Sequence, residues 1–441
     1  MFLLTGVAPL SANTSPAIKI DGQTRMFDPP CQIVDGRTMI PVRYVIEDPA
    51  LQGTVTWDAD TSEVGIECKD KHFVFKIASH TVSVDGEYMD LDVAPYIYQN
   101  RTYIPLRFLA ERLSAQVTWN ASAREVSIDF NPKNSEEVFA YYYYHSFDEL
   151  KENADSITDV ALRWFETNEN GDLFYEYQDD YDEILQFARD HNIKTHASVV
   201  YMDKEGMHEL LSDPARRQYL IEQLSKQVKE NNYDGVNIDF EFLGQSDRDN
   251  FTLFLKELKQ SLGNDKQLSV ALFACTKAQS WLAGYDYDAI GGIVDRVVIM
   301  AYDYNYKTSP AGPVAPLWWV EDVVAYLKSI IPAEKMLLGL PTYGYDWGDG
   351  ITTTTVTAKR LQSLKNQYHL TESFDEASMS PYYSYVDNNG VSHQIWLENR
   401  KSLNAKLDVA LDNHLAGVSF WRIGNGFTDL YDLLAERITG N

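Results

Sequence analysis

The stretch Tyr233-Asp234-Gly235-Val236-Asn237-Ile238-Asp239-Phe240-Glu241-Phe242 alternates polar and apolar side chains with a period of two. In an extended strand that spacing sends Asn237, Asp239 and Glu241 to one face and Val236, Ile238 and Phe240 to the other. The apolar set suits a sheet covered by helices. Gathering an amide and two carboxylates on the buried face is costly unless they are paired or useful. Two close carboxylates also push their pKa values apart, leaving one holding a proton and the other ionised. The stretch therefore reads either as a structural Asp–Glu pair or as an acid–base site.

Working outward, strand-length apolar runs alternate with amphipathic helical stretches from Glu137 to the end of the chain. That is the pattern of βα units around a parallel sheet. The spacing predicts strands over 138–143, 157–164, 194–201, 235–241, 268–274, 296–304, 336–343 and 417–421, with helices such as 215–230, 248–262 and 318–330 between them. Eight such units close a (β/α)8 barrel, which takes about 250 residues, and barrels of this kind carry their chemistry at the C-terminal strand ends. The fold class expected is α/β, a TIM barrel. The segment 346–413 is long for one connection, so a small inserted α+β subdomain is expected there, with a hairpin around Asp387-Asn388-Asn389-Gly390. Trp347, Tyr382 and Tyr383 are candidates to line the cleft from that insertion.

Asp234-Gly-Val-Asn-Ile-Asp-Phe-Glu241 resembles the DxxDxDxE motif of glycoside hydrolase family 18, the chitinase-like enzymes. Met300-Ala-Tyr-Asp303, Gly339-Leu-Pro-Thr-Tyr-Gly344 and Gly417-Val-Ser-Phe-Trp421 resemble that family's sixth, seventh and eighth strands in the same order. Gly312-Pro-Val-Ala-Pro, Tyr343-Gly-Tyr-Asp-Trp347 and His393-Gln-Ile-Trp-Leu-Glu398 resemble the spore-cortex lytic N-acetylglucosaminidases in particular, over about residues 137–435. Those relatives usually carry LysM modules in front, which are not found here.

The resemblance implies a substrate-assisted mechanism that departs from the usual two-carboxylate scheme. Glu241 would protonate the glycosidic oxygen while the sugar's own 2-acetamido carbonyl attacks the anomeric carbon. Asp239 would accept from the acetamido N–H, and Tyr302 would orient its carbonyl. Asp303, Asn237 and Tyr345 would bind substrate, and Trp421 would form an apolar floor under the sugar. Asn237 stands where the wider motif has Asp, which removes one buried charge beside Asp239 and should ease its ionisation. A raised pKa is expected for Glu241, which must keep its proton near neutral pH. Asp234 is expected to fix the entry to the strand, and Phe240, Ile299 and Met300 to serve packing.

The front of the chain is a duplication. Arg37-Thr-Met-Ile-Pro-Val-Arg-Tyr-Val-Ile-Glu47 recurs as Arg101-Thr-Tyr-Ile-Pro-Leu-Arg-Phe-Leu-Ala-Glu111, and each copy runs on to Val-Thr-Trp, ending at Trp57 and Trp119. Upstream, Asp21-Gly22 and Asp85-Gly86 sit between alternating segments and read as tight hairpins. Residues 16–130 thus form a small, mostly β, duplicated domain, joined to the barrel (137–441) by a polar linker at 131–136. It resembles the copper amine oxidase N-terminal-like domain, a stalk module of bacterial surface proteins. The resemblance implies no copper site, and a wall-adhesion or spacer role is expected. Arg43 and Arg107 are expected to pack against the nearby Trp and Glu.

The net charge of −27, from 65 acidic and 38 basic side chains, opposes nucleic acid and anionic membranes as partners. A polysaccharide, peptidoglycan or chitin oligomers, is the partner expected. Residues 1–15 are expected to be the remnant of a secretory signal, which places the protein outside the cell or on its wall. No run of 18 apolar residues follows to span a membrane. Cys31 and Cys68 could pair, although a buried free thiol suits each of the three cysteines. The nine histidines lack metal-ligand spacing, so no metal or other cofactor is expected. Two other classes compete with an enzyme: a carbohydrate-binding protein on an inactive barrel, against which the retained Glu241 argues, and a structural wall protein dominated by the front domain.

Overall fold

The computed structural model describes residues 15–439 apart from 21–22, 35, 49–50, 52, 69–70, 114, 121–124, 130–135 and 176–178. Residues 1–14 of the proposed signal remnant (1–15), the Asp21-Gly22 turn and most of the linker lie outside these residues. The chain divides into two compact units, Met1–Lys133 and Asn134–Asn441, each with its own apolar core.

In the front unit the two repeats pair with one another. Arg37–Pro41 and Arg101–Pro105 run antiparallel with Ile40 opposite Ile104, both fully buried. Ala17–Ile20 of the first copy lies parallel to Glu125–Asp129 of the second, so neither copy closes its sheet alone. The Asp85-Gly86 turn has positive φ at both residues, 51° and 92°, the geometry that joins two right-twisted strands, here Thr81–Val84 and Glu87–Asp90. Cys31 and Cys68 are both buried and form no disulfide with each other. Arg43 donates to Glu47, its i,i+4 neighbour, and to the Val55 carbonyl. Arg107 is exposed at a cavity of about 630 Å³, and the side chains of Glu111 and Trp119, its expected packing partners, lie outside those described.

The second unit closes a barrel of eight parallel strands: β1 (Glu137–Tyr142), β2 (Asp159–Thr167), β3 (Lys194–Tyr201), β4 (Gly235–Phe240), β5 (Gln267–Phe273), β6 (Arg296–Met300), β7 (Met336–Pro341) and β8 (Gly417–Trp421). β1 pairs with both β8 and β2, which completes the ring. The helices between them follow from local signals. Helix α1 (Pro214–Asn231) begins at Asp213, whose side chain accepts from the Ala215 N–H, with proline at the first turn, and ends at Asn232 in the left-handed region. Helix α2 (Arg248–Leu262) buries Phe251, Phe254, Leu255 and Leu258, one stripe at helical spacing, and stops at Gly263 with φ of 75°.

That stripe receives the outward face of β4. Phe240 stacks on Phe254 at 5.7 Å and lies 6.0 Å from Phe251. Removing such a ring from a core costs about 3–5 kcal/mol, so the apolar half of the β4 alternation holds the polar half in place. At the N-terminal end of the strand, Asp234 accepts from the Thr195 N–H at 2.9 Å, the strand-entry role expected for it.

β7 is shorter than predicted, because the chain leaves the barrel at Thr342. Its N–H and hydroxyl both donate to the Trp421 carbonyl, tying the exit to the end of β8. Tyr343–Gly348 then starts a separate five-stranded antiparallel sheet that runs to Ser392–Trp396, with a helix, Ala358–Gln367, packed on it. The helix Arg400–Asp412, inside the span assigned to the insertion, packs instead against the barrel helix Leu317–Leu327.

Candidate active site

At the C-terminal ends of the strands, Asp239, Glu241, Tyr302, Asp303 and Trp421 surround one cavity of about 330 Å³. The front-unit cavity is larger, but its two carboxylates, Asp90 and Asp92, are exposed, and Asp92 pairs with Arg37; chemistry, not size, singles out the barrel mouth.

Asn237 lies one layer below. It is fully buried, its Oδ1 accepts from Ser198 Oγ at 2.9 Å and its Nδ2 donates to Ser269 Oγ at 3.0 Å. It therefore does not line the cavity, and the substrate-binding role expected for it gives way to one of fixing β3, β4 and β5 in register beneath Asp239. A neutral amide there leaves Asp239 without a second carboxylate below.

Asp239 is 7% exposed, and its Oδ1 is buried with no hydrogen-bond partner among the described residues. Burial raises its pKa to about 6, against the pull of Arg163, so losing the neighbouring charge does not return it to the ordinary carboxylate range. Glu241 is half-buried, its N–H held by the Tyr201 carbonyl at 2.9 Å. Burial first, then the charges of Asp239 and Asp303, push its pKa up to about 8. The pair thus holds a proton on Glu241 and a charge on Asp239 near neutrality, as acid–base chemistry requires.

Asp303 follows β6 with φ of 59°, a strained backbone for a non-glycine residue, which functional sites tolerate when the surroundings hold it. Its carboxylate accepts from Tyr345 Oη at 3.0 Å and from the Tyr343 hydroxyl. Tyr345 thus stands behind Asp303 and does not line the cavity itself. Tyr302 packs edge-on to Tyr343 at 6.1 Å, and burial raises its hydroxyl pKa, so it is a neutral donor. Trp421 packs 5.5 Å from Tyr141 and presents an apolar surface to the cavity.

Several lining residues escape sequence reasoning: Tyr143, Arg163, Met202, Phe273 and Tyr343, together with Met300, which was expected only to pack. All sit at or near C-terminal strand ends, the signal that points to them, but which of them face inward depends on how each strand ends. Trp347 donates to the Ser309 carbonyl at 3.0 Å and packs in the Tyr345 cluster; Tyr382 stacks on Trp396 at 4.8 Å, and Tyr383 is buried near Glu372. None of the three lines the cavity. Among the described residues no three or more His, Cys, Asp or Glu side chains converge as a metal site.

Residues 137–426, about two thirds of the chain, match the family of glycosyl hydrolases family 18. The chain belongs to that family. Residues 19–128 of the front unit match the copper amine oxidase N-terminal domain. Family 18 relatives include the putative sporulation-specific glycosylase YdhD of Bacillus subtilis, 32% identical over 230 residues, 51% of this chain and 55% of that protein. The cortical fragment-lytic enzyme of the same organism is 29% identical over 237 residues, 52% of this chain and 55% of that one. The chain thus spans about half the length of these curated relatives. Among solved structures, a chitinase of Chromobacterium violaceum superposes with a TM-score of 0.64 at 26% identity, covering 68% of this chain and 98% of that one. The family 18 match lies in the barrel unit, and the front unit lies outside it.

Proposed function

We propose that this protein is a secreted or wall-associated glycoside hydrolase that cleaves β-linked N-acetylglucosamine polymers of the peptidoglycan, spore-cortex or chitin type. The reaction is substrate-assisted and retains the anomeric configuration. The names of its relatives, cortical fragment-lytic enzyme and chitinase, support the substrate class.

The observation that carries the mechanism is the pairing of Asp239 in β4 with Glu241 just past its end, two residues apart, in one cavity. Side chains so placed approach a bound sugar from the same side. Glu241 donates its proton to the glycosidic oxygen as the bond to the anomeric carbon breaks. The acetamido carbonyl oxygen of the sugar forms the new bond to that carbon, giving an oxazolinium ion and the released alcohol. Asp239, with an unfilled oxygen, accepts from the acetamido N–H and offsets the positive charge that develops. Asp303 enters from another strand, but two tyrosine hydroxyls already occupy its carboxylate, which makes it a poor nucleophile. Water then opens the oxazolinium ion, returning a proton to Glu241.

NMR of the first-formed product tests this reading. A β-linked substrate gives an initial β-anomer, and thiazoline analogues of N-acetylglucosamine inhibit competitively. An initial α-anomer means inversion, with Asp303 as base, and excludes substrate assistance.

We assign the front unit to holding the enzyme on its insoluble substrate. Because each unit has its own core, a chain beginning at Asn134 is expected to fold and to cleave soluble oligosaccharides at the full-length rate. It should lose activity only on insoluble walls. A folded but inactive barrel on soluble substrate would show instead that the front unit helps build the cleft.

A further inference from the structure

The cavity wall beside the carboxylates carries a cation. Arg163 is the last inward-facing residue of β2 before a bulge, where the register with β3 shifts between Arg163 and Phe165. The bulge leaves both Trp164 and Phe165 packed on the helix side and Arg163 lining the cavity, the kind of re-aiming that bulges perform near active sites. Its guanidinium lies 5.7 Å from the centre of the Tyr143 ring, and that of Arg422 lies 5.1 Å from the same ring.

Two like charges sharing one half-buried ring repel each other, and the ring offsets only about 0.5–2 kcal/mol for each. Among the described residues, neither guanidinium forms a salt bridge with a buried carboxylate. Arg163 Nη1 donates to Glu166 at 3.0 Å, and that glutamate is 62% exposed. Arg422 Nη1 donates to Ser146 Oγ and the Ile423 carbonyl, at 3.3 and 3.2 Å. Arg163 favours the ionised form of Asp239 across the cavity, and its guanidinium still faces the space where a ligand would sit.

We propose that Arg163, backed by Tyr143 and Arg422, binds the free lactyl carboxylate of an N-acetylmuramic acid residue whose stem peptide has been removed, and so selects peptide-stripped glycan chains, the product of an amide-bond hydrolysis, over peptide-linked chains and neutral N-acetylglucosamine polymers. The proposal rests on the hydrolase reading for placing a glycan in this cavity. A guanidinium fork matches a carboxylate in two parallel hydrogen bonds, which a neutral hydroxyl cannot supply.

Calorimetry on the Glu241→Gln protein tests the proposal without depending on turnover. The probes are a tetrasaccharide of alternating N-acetylglucosamine and N-acetylmuramic acid, and the same glycan with each lactyl acid converted to the primary carboxamide. The acid is expected to bind about 10-fold or more tightly than the amide. The preference should shrink with added salt, disappear in the Glu241→Gln/Arg163→Gln protein and return in part with Arg163→Lys. Equal binding of acid and amide, or a preference that survives Arg163→Gln, overturns it. An arginine that only tuned Asp239 and Glu241 would alter both ligands in parallel. Wild-type protein that binds these glycans but cleaves none of them would instead overturn the hydrolase reading, with the acid-to-amide ratio still deciding the role of Arg163.

Discussion

Glu241→Gln lowers turnover by about 10²-fold or more, because the amide keeps the shape of the side chain and removes the proton that the leaving oxygen needs. Steady-state kinetics on a soluble N-acetylglucosamine oligomer measure it, and near wild-type turnover in the folded variant would exclude Glu241 as the acid. The wild-type pH profile should carry the same signature. Activity falls as the pH rises through about 8, where Glu241 loses its proton, and that limb is absent from any residual activity of the variant. The stability change has the opposite sign. A carboxyl whose folded pKa lies above its unfolded value contributes least above that folded value, so folding near neutral pH must take up a proton at Glu241. Glutamine removes that cost, and Tm at pH 7 is expected to rise by about 2 °C or more. Calorimetry showing a marked fall in Tm would mean that Glu241 holds the fold together as well.

Asp239→Asn is the second large effect. Removing a charge aimed at a developing cation typically costs about 10²–10³-fold in turnover, and the amide fits the same space. In the wild type, activity falls as the pH drops through about 6, where Asp239 takes up a proton; the variant has no such limb. The Asp239 charge also helps to raise the Glu241 pKa, so the alkaline limb should move to lower pH in the variant. The two limbs belong to the pair, and a shift of the alkaline limb when only Asp239 is changed shows the coupling directly. An unchanged profile with reduced turnover would argue that Asp239 acts through packing alone. Loss of packing is separable, because Asp239 Oδ1 has no hydrogen-bond partner among the described residues to forfeit.

The sequence by itself determined whatever depends on local periodicity. The alternation in β4 named the inward face of the strand and put Asp239 and Glu241 on it, and Phe240 stacks on α2 as that pattern requires. The eight strand-length runs, the duplicated front repeat and the Asp85-Gly86 hairpin are equally local, since each depends on side chains within a few positions. Only the tertiary structure decided depth and neighbourhood. Asn237 follows the same alternation as Asp239, yet two serines on adjacent strands keep it out of the cavity. Tyr345 is on the cleft side of its strand but is taken up by Asp303 from β6. The β2 bulge shifts the inward set by one residue, and no count of residues along β2 reveals it. Arg163, Tyr143 and Arg422 are separated by up to 279 positions in the chain and meet at one ring because β1, β2 and β8 close the barrel there. Which face a side chain takes is a property of its own strand; how deep it lies and what charge it meets are set by closure of the ring, which depends on all eight strands together.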